Sequence, residues 1–376
     1  MSAAARTKTC GNIRPLVVAA CLFIVSLTSV AWSEAARANP YIVVDAKTER
    51  VLYAQEPFKR WYPASLTKLM TAYLTFEDME AGRLSKNTVI TFSAAAAGEP
   101  AAKMYFAPGT RVTLDTALKM MLVRSANDAA HAVADNAPGG RSDFINRMNA
   151  TAKQIGMTDT HFVNANGMDA MNDPQPGQYT TARDMAVLAL AIKKKFPDYL
   201  DYFTIPGIDA DSGEYRNTNL LIDNFNGATG MKTGFTCSSG YNQVSTASRG
   251  RKDIIAVALG SASVVARVET AAQLLEAGLN ADMRNGPRLA TYLPPADADK
   301  SVADVTSEVC SAEAAEARAA LRDEDGNYIL TSPYLHQIPE EFPMVEAKRL
   351  PNDTEMASNR LDTLSAVPLP YARPRQ

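Results

Sequence analysis

Tyr62-Pro63-Ala64-Ser65-Leu66-Thr67-Lys68-Leu69-Met70-Thr71-Ala72-Tyr73 is the stretch from which the rest of this chain can be read. Leu66, Leu69, Met70, Tyr73 and Leu74 recur at helical spacing and Gly82 stops the pattern, which predicts a buried helix with Ser65 and Lys68 at its start. Three positions apart, the hydroxyl and the amine share one helix face. Serine is a poor nucleophile at neutral pH, so a base must take its proton as it attacks a carbonyl, and an uncharged lysine one turn away can do so. Lys68 then needs a depressed pKa, which burial and a second nearby cation would supply. The helix start also offers unpaired N–H groups and a positive dipole end to an oxyanion forming on the substrate.

Two later motifs follow in order, Ser125-Ala126-Asn127 and Lys232-Thr233-Gly234. Ser125 is suited to pass a proton to a leaving amine, and Asn127 to hold a substrate amide with both a donor and an acceptor. Lys232 is the second cation that Lys68 needs, and with Thr233 it offers a charge and a hydroxyl to a substrate carboxylate. Gly234, having no Cβ, permits close backbone approach. Each motif alone has a plainer reading: Ser65 as a helix cap, Asn127 as a turn residue, Lys-Thr-Gly as a strand end. The ordered triple outweighs them and points to a substrate ending in a free carboxylate.

Other routes to hydrolysis fit poorly. The three histidines, His131, His161 and His336, show no metal-ligand spacing, so neither a zinc site nor any other cofactor is implied. Ser65 lies in no Gly-x-Ser-x-Gly elbow. His131, in an alanine-rich helix, and His161, before Phe162, read as packing or hydrogen-bonding residues.

Working outward, Tyr41 to Val44 and Val51 to Tyr53 read as a hairpin across the polar stretch Asp45 to Arg50. Helical patterns follow over Leu114 to Leu122 and over Phe144 to Ile155, the latter ending at Gly156. Tyr241 to Ala247 and Ile254 to Leu259 look like adjacent strands of one sheet, with a helix over Val268 to Leu279. Strands near both ends of residues 39–284 thus bracket a helical middle. Beyond Arg284 apolar density falls and prolines recur, and only Ser307 to Leu321 looks helical. This predicts a partly ordered appendage over 285–349 and a disordered tail over 350–376.

At the other end Arg6, Lys8 and Arg14 precede an apolar run from Leu16 to Trp32 and the small-residue site Ala36-Arg37-Ala38, the layout of a signal peptide over 1–38. A retained anchor helix and lipidation at Cys21 are the minor alternatives. With 38 Lys and Arg against 41 Asp and Glu and no basic block, nucleic acid is not an implied partner. After cleavage only Cys237 and Cys310 remain; two free thiols and a pair are equally open, and a pair would stabilise by roughly 4 kcal/mol on the chain-entropy model.

The segment from Tyr62 to Tyr73 closely resembles the nucleophile segment of serine-type D-alanyl-D-alanine carboxypeptidases, the low-molecular-mass penicillin-binding proteins. The likeness spans roughly residues 39 to 280 and includes Pro108-Gly109-Thr110-Arg111-Val112, Gly156 to Asn164, Thr180 to Met185 and Asn217 to Leu221. The resemblance implies an α+β, serine β-lactamase/transpeptidase-like fold: a mixed antiparallel sheet flanked by helices, plus a helical lobe, with the site between them. It implies Ser65 as nucleophile, Lys68 as general base, Ser125 as proton relay, Asn127 as amide contact, and Lys232 and Thr233 as carboxylate recognition. The backbone N–H groups of Ser65 and Phe235 would form the oxyanion hole, and Arg267 would help hold the terminal carboxylate.

The implied reaction is acylation of Ser65 by the penultimate D-alanine of a peptidoglycan stem pentapeptide, release of terminal D-alanine and hydrolysis, with β-lactams as covalent inhibitors. The departure is at the C-terminus. Many members carry a β-rich second domain and an amphipathic membrane helix there, and residues 285–376 suggest neither, so a soluble periplasmic enzyme without a strong membrane anchor is expected. A class A β-lactamase shares the motifs but usually has Asp at the position of Ala126. A D,D-endopeptidase that cleaves cross-links would use the same residues, and a non-catalytic wall-binding protein could retain the fold.

Overall fold

In a computed structural model of the chain, residues 39–168, 177–282, 285–338 and 343–351 are described. The predicted signal peptide, and the predicted tail beyond Pro351, lie outside the described residues. None of the described helices is long and apolar enough to cross a membrane.

Strands β1 (Tyr41–Asp45) and β2 (Arg50–Gln55) form the predicted hairpin. Its turn is tied by the Asp45 carboxylate, which accepts from the N–H of Lys47 at 2.7 Å and of Thr48 at 3.1 Å. The other strands of this sheet come from far along the chain: β3 (Ala228–Thr236), β4 (Gly240–Arg249) and β5 (Lys252–Ser261). Their order is β2-β1-β5-β4-β3, every neighbouring pair antiparallel, with Tyr41 opposite Ala258 and Lys232 opposite Val244.

Why the central strands read as unbroken apolar runs is clear from their two faces. Val43, Ile254 and Ala256 point to a cluster with Val268, Ala272 and Leu275 of the last long helix, whereas Ile42, Val44, Ile255, Val257 and Leu259 join the larger core beneath the helical lobe. A sheet covered on both sides has no solvent face on which to place polar residues.

The lobe contains α1 (Lys68–Glu80), α2 (Leu114–Val123), α3 (Asn127–Asn136), α4 (Gly140–Gln154) and α5 (Ala182–Lys195), and α6 (Val264–Asn280) covers the opposite face of the sheet. Side-chain caps set three of these starts: Thr113 accepts from Thr116 N, Thr181 from Asp184 N and Ser263 from Ala266 N. Short strand pairs not foreseen in the middle region join Val89–Thr91 to Arg111–Thr113 and Gly207–Ala210 to Gly213–Arg216.

The segment after Asn285 lies along this body. Val302–Ala303 pairs in parallel with Arg60–Trp61, and Val345–Glu346 with Ile208–Asp209. The helix predicted over Ser307 to Leu321 is split into Thr306–Val309 and Ala312–Ala319. The break falls at Cys310, which is disulfide-bonded to Cys237, and Ser311 caps the second piece.

Arg183, 1% exposed on α5, ties three parts together: it donates to the Asp184 carboxylate at 2.9 Å, to Leu289 O at 3.1 Å and to Gly156 O. Burial raises the pKa of Asp184, and the Arg183 hydrogen bond works against that rise. Removing one partner of such a pair strands the other. Arg183→Met should therefore cost about 3–5 kcal/mol, read as a lower urea midpoint, and a loss under about 1 kcal/mol would show that the tie is not structural.

Candidate active site

Ser65 sits in a 3-10 turn, Ala64–Thr67, that runs directly into α1, so Lys68 is the first residue of the helix. Ala64 holds φ +47° and Ser125 φ +64°, conformations that cost L residues about 1–3 kcal/mol each and that cluster at functional sites. The serine turn leaves no room for a side chain opposite: a Cβ on Gly234 would stand 3.0 Å from Ser65 N, and one on Gly167 1.8 Å from Ala64 O. The close approach that Gly234 permits is thus already taken up within the protein, against the nucleophile's own turn.

Lys68 is fully buried and its Nζ stands 2.7 Å from each of three oxygens: Ser65 Oγ, Asn127 Oδ1 and Asn166 O. As an ammonium it donates to all three. As a free amine it keeps two donors for the amide and peptide oxygens, which can only accept, and its lone pair falls to the one partner able to donate, the Ser65 hydroxyl. Burial holds its pKa well below a lysine's ordinary value and the Lys232 charge lowers it further, while Glu99 and Asp128 oppose the shift.

Across the cleft a second buried lysine repeats the motif. Lys232 on β3 donates to Ser125 Oγ at 2.8 Å and to Thr233 O at 3.0 Å. Burial first, and the Arg267 charge second, bring its pKa down to about 7. Thr233 Oγ1 donates to Thr218 Oγ1 at 2.9 Å, and Arg267, in the first turn of α6, donates to Thr218 O at 3.2 Å. Burial also lowers Arg267, to about 10. Phe235, 41% exposed, stacks on Tyr241 with ring centroids 4.2 Å apart.

Ser65, Ser125, Asn127, Thr233, Gly234, Phe235 and Arg267 line one cleft of about 390 Å³, with Lys68 and Lys232 bonded to its two serines. The nine residues to which the sequence reading gave a site role are thereby brought to one place. Asn127 is more engaged than foreseen, since its Oδ1 accepts a hydrogen bond from Lys68 Nζ and its Nδ2 donates to Pro100 O at 2.9 Å.

Four contributors were not assigned from sequence. Asn166 acts through its backbone carbonyl, and its side chain donates to Glu99 Oε2 at 2.8 Å. Glu99 Oε1 also meets His131 Nδ1 at 2.5 Å, which makes that histidine a support. Thr218 holds both Thr233 and Arg267; it lies within Asn217 to Leu221, a stretch already marked by its resemblance. The fourth is Tyr328.

Among the described residues no histidine lines the cleft, and a buried lysine is hydrogen-bonded directly to a serine, the arrangement of a serine–lysine acyl-transfer enzyme. Residues 27–263 match the Peptidase S11 family, D-alanyl-D-alanine carboxypeptidase. The D-alanyl-D-alanine carboxypeptidase DacD of Escherichia coli strain K12 is 32% identical over 281 residues, which cover 70% of this chain and 71% of that protein. The crystal structure of DacD from Francisella tularensis aligns with TM-score 0.61 at 31% identity, over 65% of this chain and 70% of that one. Penicillin-binding protein D2 from Listeria monocytogenes, solved in its ampicillin-bound form, aligns with TM-score 0.59 at 30% identity over 64% and 97%. This chain belongs to the D-alanyl-D-alanine carboxypeptidase family of serine peptidases.

The lysine pair makes the pH dependence testable. A cation at position 232 disfavours a second one on Lys68, so Lys232→Gln raises the Lys68 pKa and a higher pH is needed to free its amine. The acid limb of the rate of acylation by labelled penicillin should shift to higher pH in that variant. An unmoved limb would assign it to another group.

Proposed function

We propose that the nine clustered residues carry out serine D,D-carboxypeptidase chemistry on peptidoglycan stem pentapeptides ending in D-Ala-D-Ala. The observation that carries this is the placement of Lys68 Nζ, 2.7 Å from Ser65 Oγ with its other two bonds on pure acceptors. Lys68 takes the hydroxyl proton as Ser65 Oγ bonds to the carbonyl carbon of the penultimate D-alanine. The N–H groups of Ser65 and Phe235 hold the oxyanion. Gly234 supports this role, because its missing Cβ lets the Phe235 strand lie against Ser65 N.

As the tetrahedral species collapses, the C–N bond breaks, Ser125 passes its proton to the departing amine and is resupplied with the proton that Lys68 took from Ser65, so that D-alanine leaves and Lys68 is again a free amine. Lys232, Thr233 and Arg267 hold the terminal carboxylate, and Asn127 meets the substrate amide through the remaining Nδ2 hydrogen and Oδ1 lone pair. A carboxylate beside Lys232 restores its proton, and that charge then favours the free amine of Lys68. Water hydrolyses the acyl-enzyme with Lys68 again as base. β-Lactams present a strained amide and a carboxylate to the same groups and acylate Ser65. The setting is the periplasm, after export, where Cys237 and Cys310 can pair.

D-Alanine release from a pentapeptide ending in D-Ala-D-Ala, with and without penicillin, tests this reading. Release should be blocked by the drug, and Ser65→Ala should lower it at least about a thousandfold and abolish penicillin labelling while the folded protein persists. Release that survives the substitution would remove Ser65 from the nucleophile's place.

A further inference from the structure

One wall of the catalytic cleft comes from the segment after α6, well beyond the matched residues 27–263: Tyr328 lines it together with Thr218 and Phe235 from within the match and Arg267 just past its end. Tyr328 is built firmly into position. It closes a small hairpin in which Arg322 bridges Tyr328 and Ile329 N donates to Leu321 O at 3.0 Å. The Arg322 guanidinium lies 4.0 Å over the tyrosine ring and donates to its hydroxyl at 2.6 Å. The flanks of this segment are fastened to the two elements that carry the carboxylate-binding residues. On one side the Cys237–Cys310 disulfide and a 3.1 Å bond from Val305 N to Ser238 O join it to the turn after β3. On the other, Glu269 on α6, two positions past Arg267, accepts from Thr331 N, Thr331 Oγ1 and Ser332 N at 2.6, 2.9 and 3.1 Å.

Behind Tyr328 lies a second, polar cavity of about 1210 Å³ into which Arg216, Asp223, Asn224, Arg322 and Asn327 face. Among the described residues it shares with the catalytic cleft only Asn217, Leu220 and Tyr328, so these three side chains form the partition. The partition stands beside Thr218, whose carbonyl holds Arg267. It therefore bounds the site at the end where the terminal carboxylate, and with it the leaving group, is held.

We propose that Tyr328 is a specificity-determining residue that limits the leaving group to a single D-alanine and excludes the branched amine of a cross-linked stem peptide. The inference rests on the carboxypeptidase reading above. The chemistry is the same for both substrates: Ser65 Oγ bonds to the D-alanyl carbonyl, the C–N bond breaks and the proton goes to the departing nitrogen. They differ in what that nitrogen carries. A free D-alanine ends at its carboxylate, whereas a cross-link continues into a second peptide that needs the space beyond Tyr328.

The full-length protein is assayed on a D-Ala-D-Ala pentapeptide and on a dimeric muropeptide joined through a D-alanyl cross-link. The reading is the ratio of kcat/KM for dimer over pentapeptide. Tyr328→Ala should raise this ratio at least about tenfold, and Tyr328→Phe, which keeps the ring, should hold it within about twofold. An unchanged ratio in Tyr328→Ala, with labelled penicillin still titrating its Ser65, overturns the inference. If the alanine variant does not fold, Tyr328→Trp should lower the ratio, and a ratio that stays level or rises overturns it equally. Failure of the wild-type protein to release D-alanine from the pentapeptide would instead overturn the reading on which the inference rests.

Discussion

A lysine amine kept out of water and surrounded by three oxygens is the constraint on which the rest of this structure depends. Burial lowers the pKa of Lys68, yet a free amine is useful only if its lone pair faces the serine hydroxyl. Asn127 and the Asn166 carbonyl set that direction by accepting two of its hydrogens. Each of these partners needs its own support: α3 starts at Asn127, and Glu99 ties the Asn166 side chain to His131. The helical lobe can thus be understood as the frame that holds two acceptors beside one amine.

The sheet provides the opposing charge. Lys232 is on β3 and Arg267 is in the first turn of α6, and Thr218 links them, since its hydroxyl accepts from Thr233 and its carbonyl from Arg267. Their mutual repulsion is part of the design: Arg267 lowers Lys232, and Lys232 lowers Lys68. The chain of repulsions runs from Arg267 through Lys232 to Lys68, that is, from the proposed carboxylate site to the proposed nucleophile. An anion placed at the first link would relieve that repulsion and be felt at the last.

What was legible in the sequence was local or strongly patterned. Ser65 and Lys68 announce themselves because a helical turn brings residues three apart together, and Ile254 to Leu259 reads as a strand because burial on both faces leaves it no polar positions. Ser125 and Lys232 were recognised as motifs, but their 2.8 Å bond depends on a fold that brings residues 107 positions apart into contact. Asn166 stayed hidden because a backbone carbonyl carries no side-chain signature. Tyr328 stayed hidden for another reason: its segment is held by a disulfide, by hydrogen bonds and by scattered apolar contacts such as Val309 and Leu330, which form no helical or strand period to read.

Consider finally that β3 is the last strand of its sheet. It pairs with β4 on one side only, and the backbone of Lys232 to Phe235 on the other side borders the catalytic serine. A sheet that stops there leaves an open rung, which elsewhere is a hazard because any extended chain can zip onto it. Here the rung is recessed in a cleft, and a peptide that reaches it in extended form gains backbone hydrogen bonds whatever its side chains are. The edge of this sheet thus has room for a sixth strand at the mouth of the cleft, where an extended peptide could supply it.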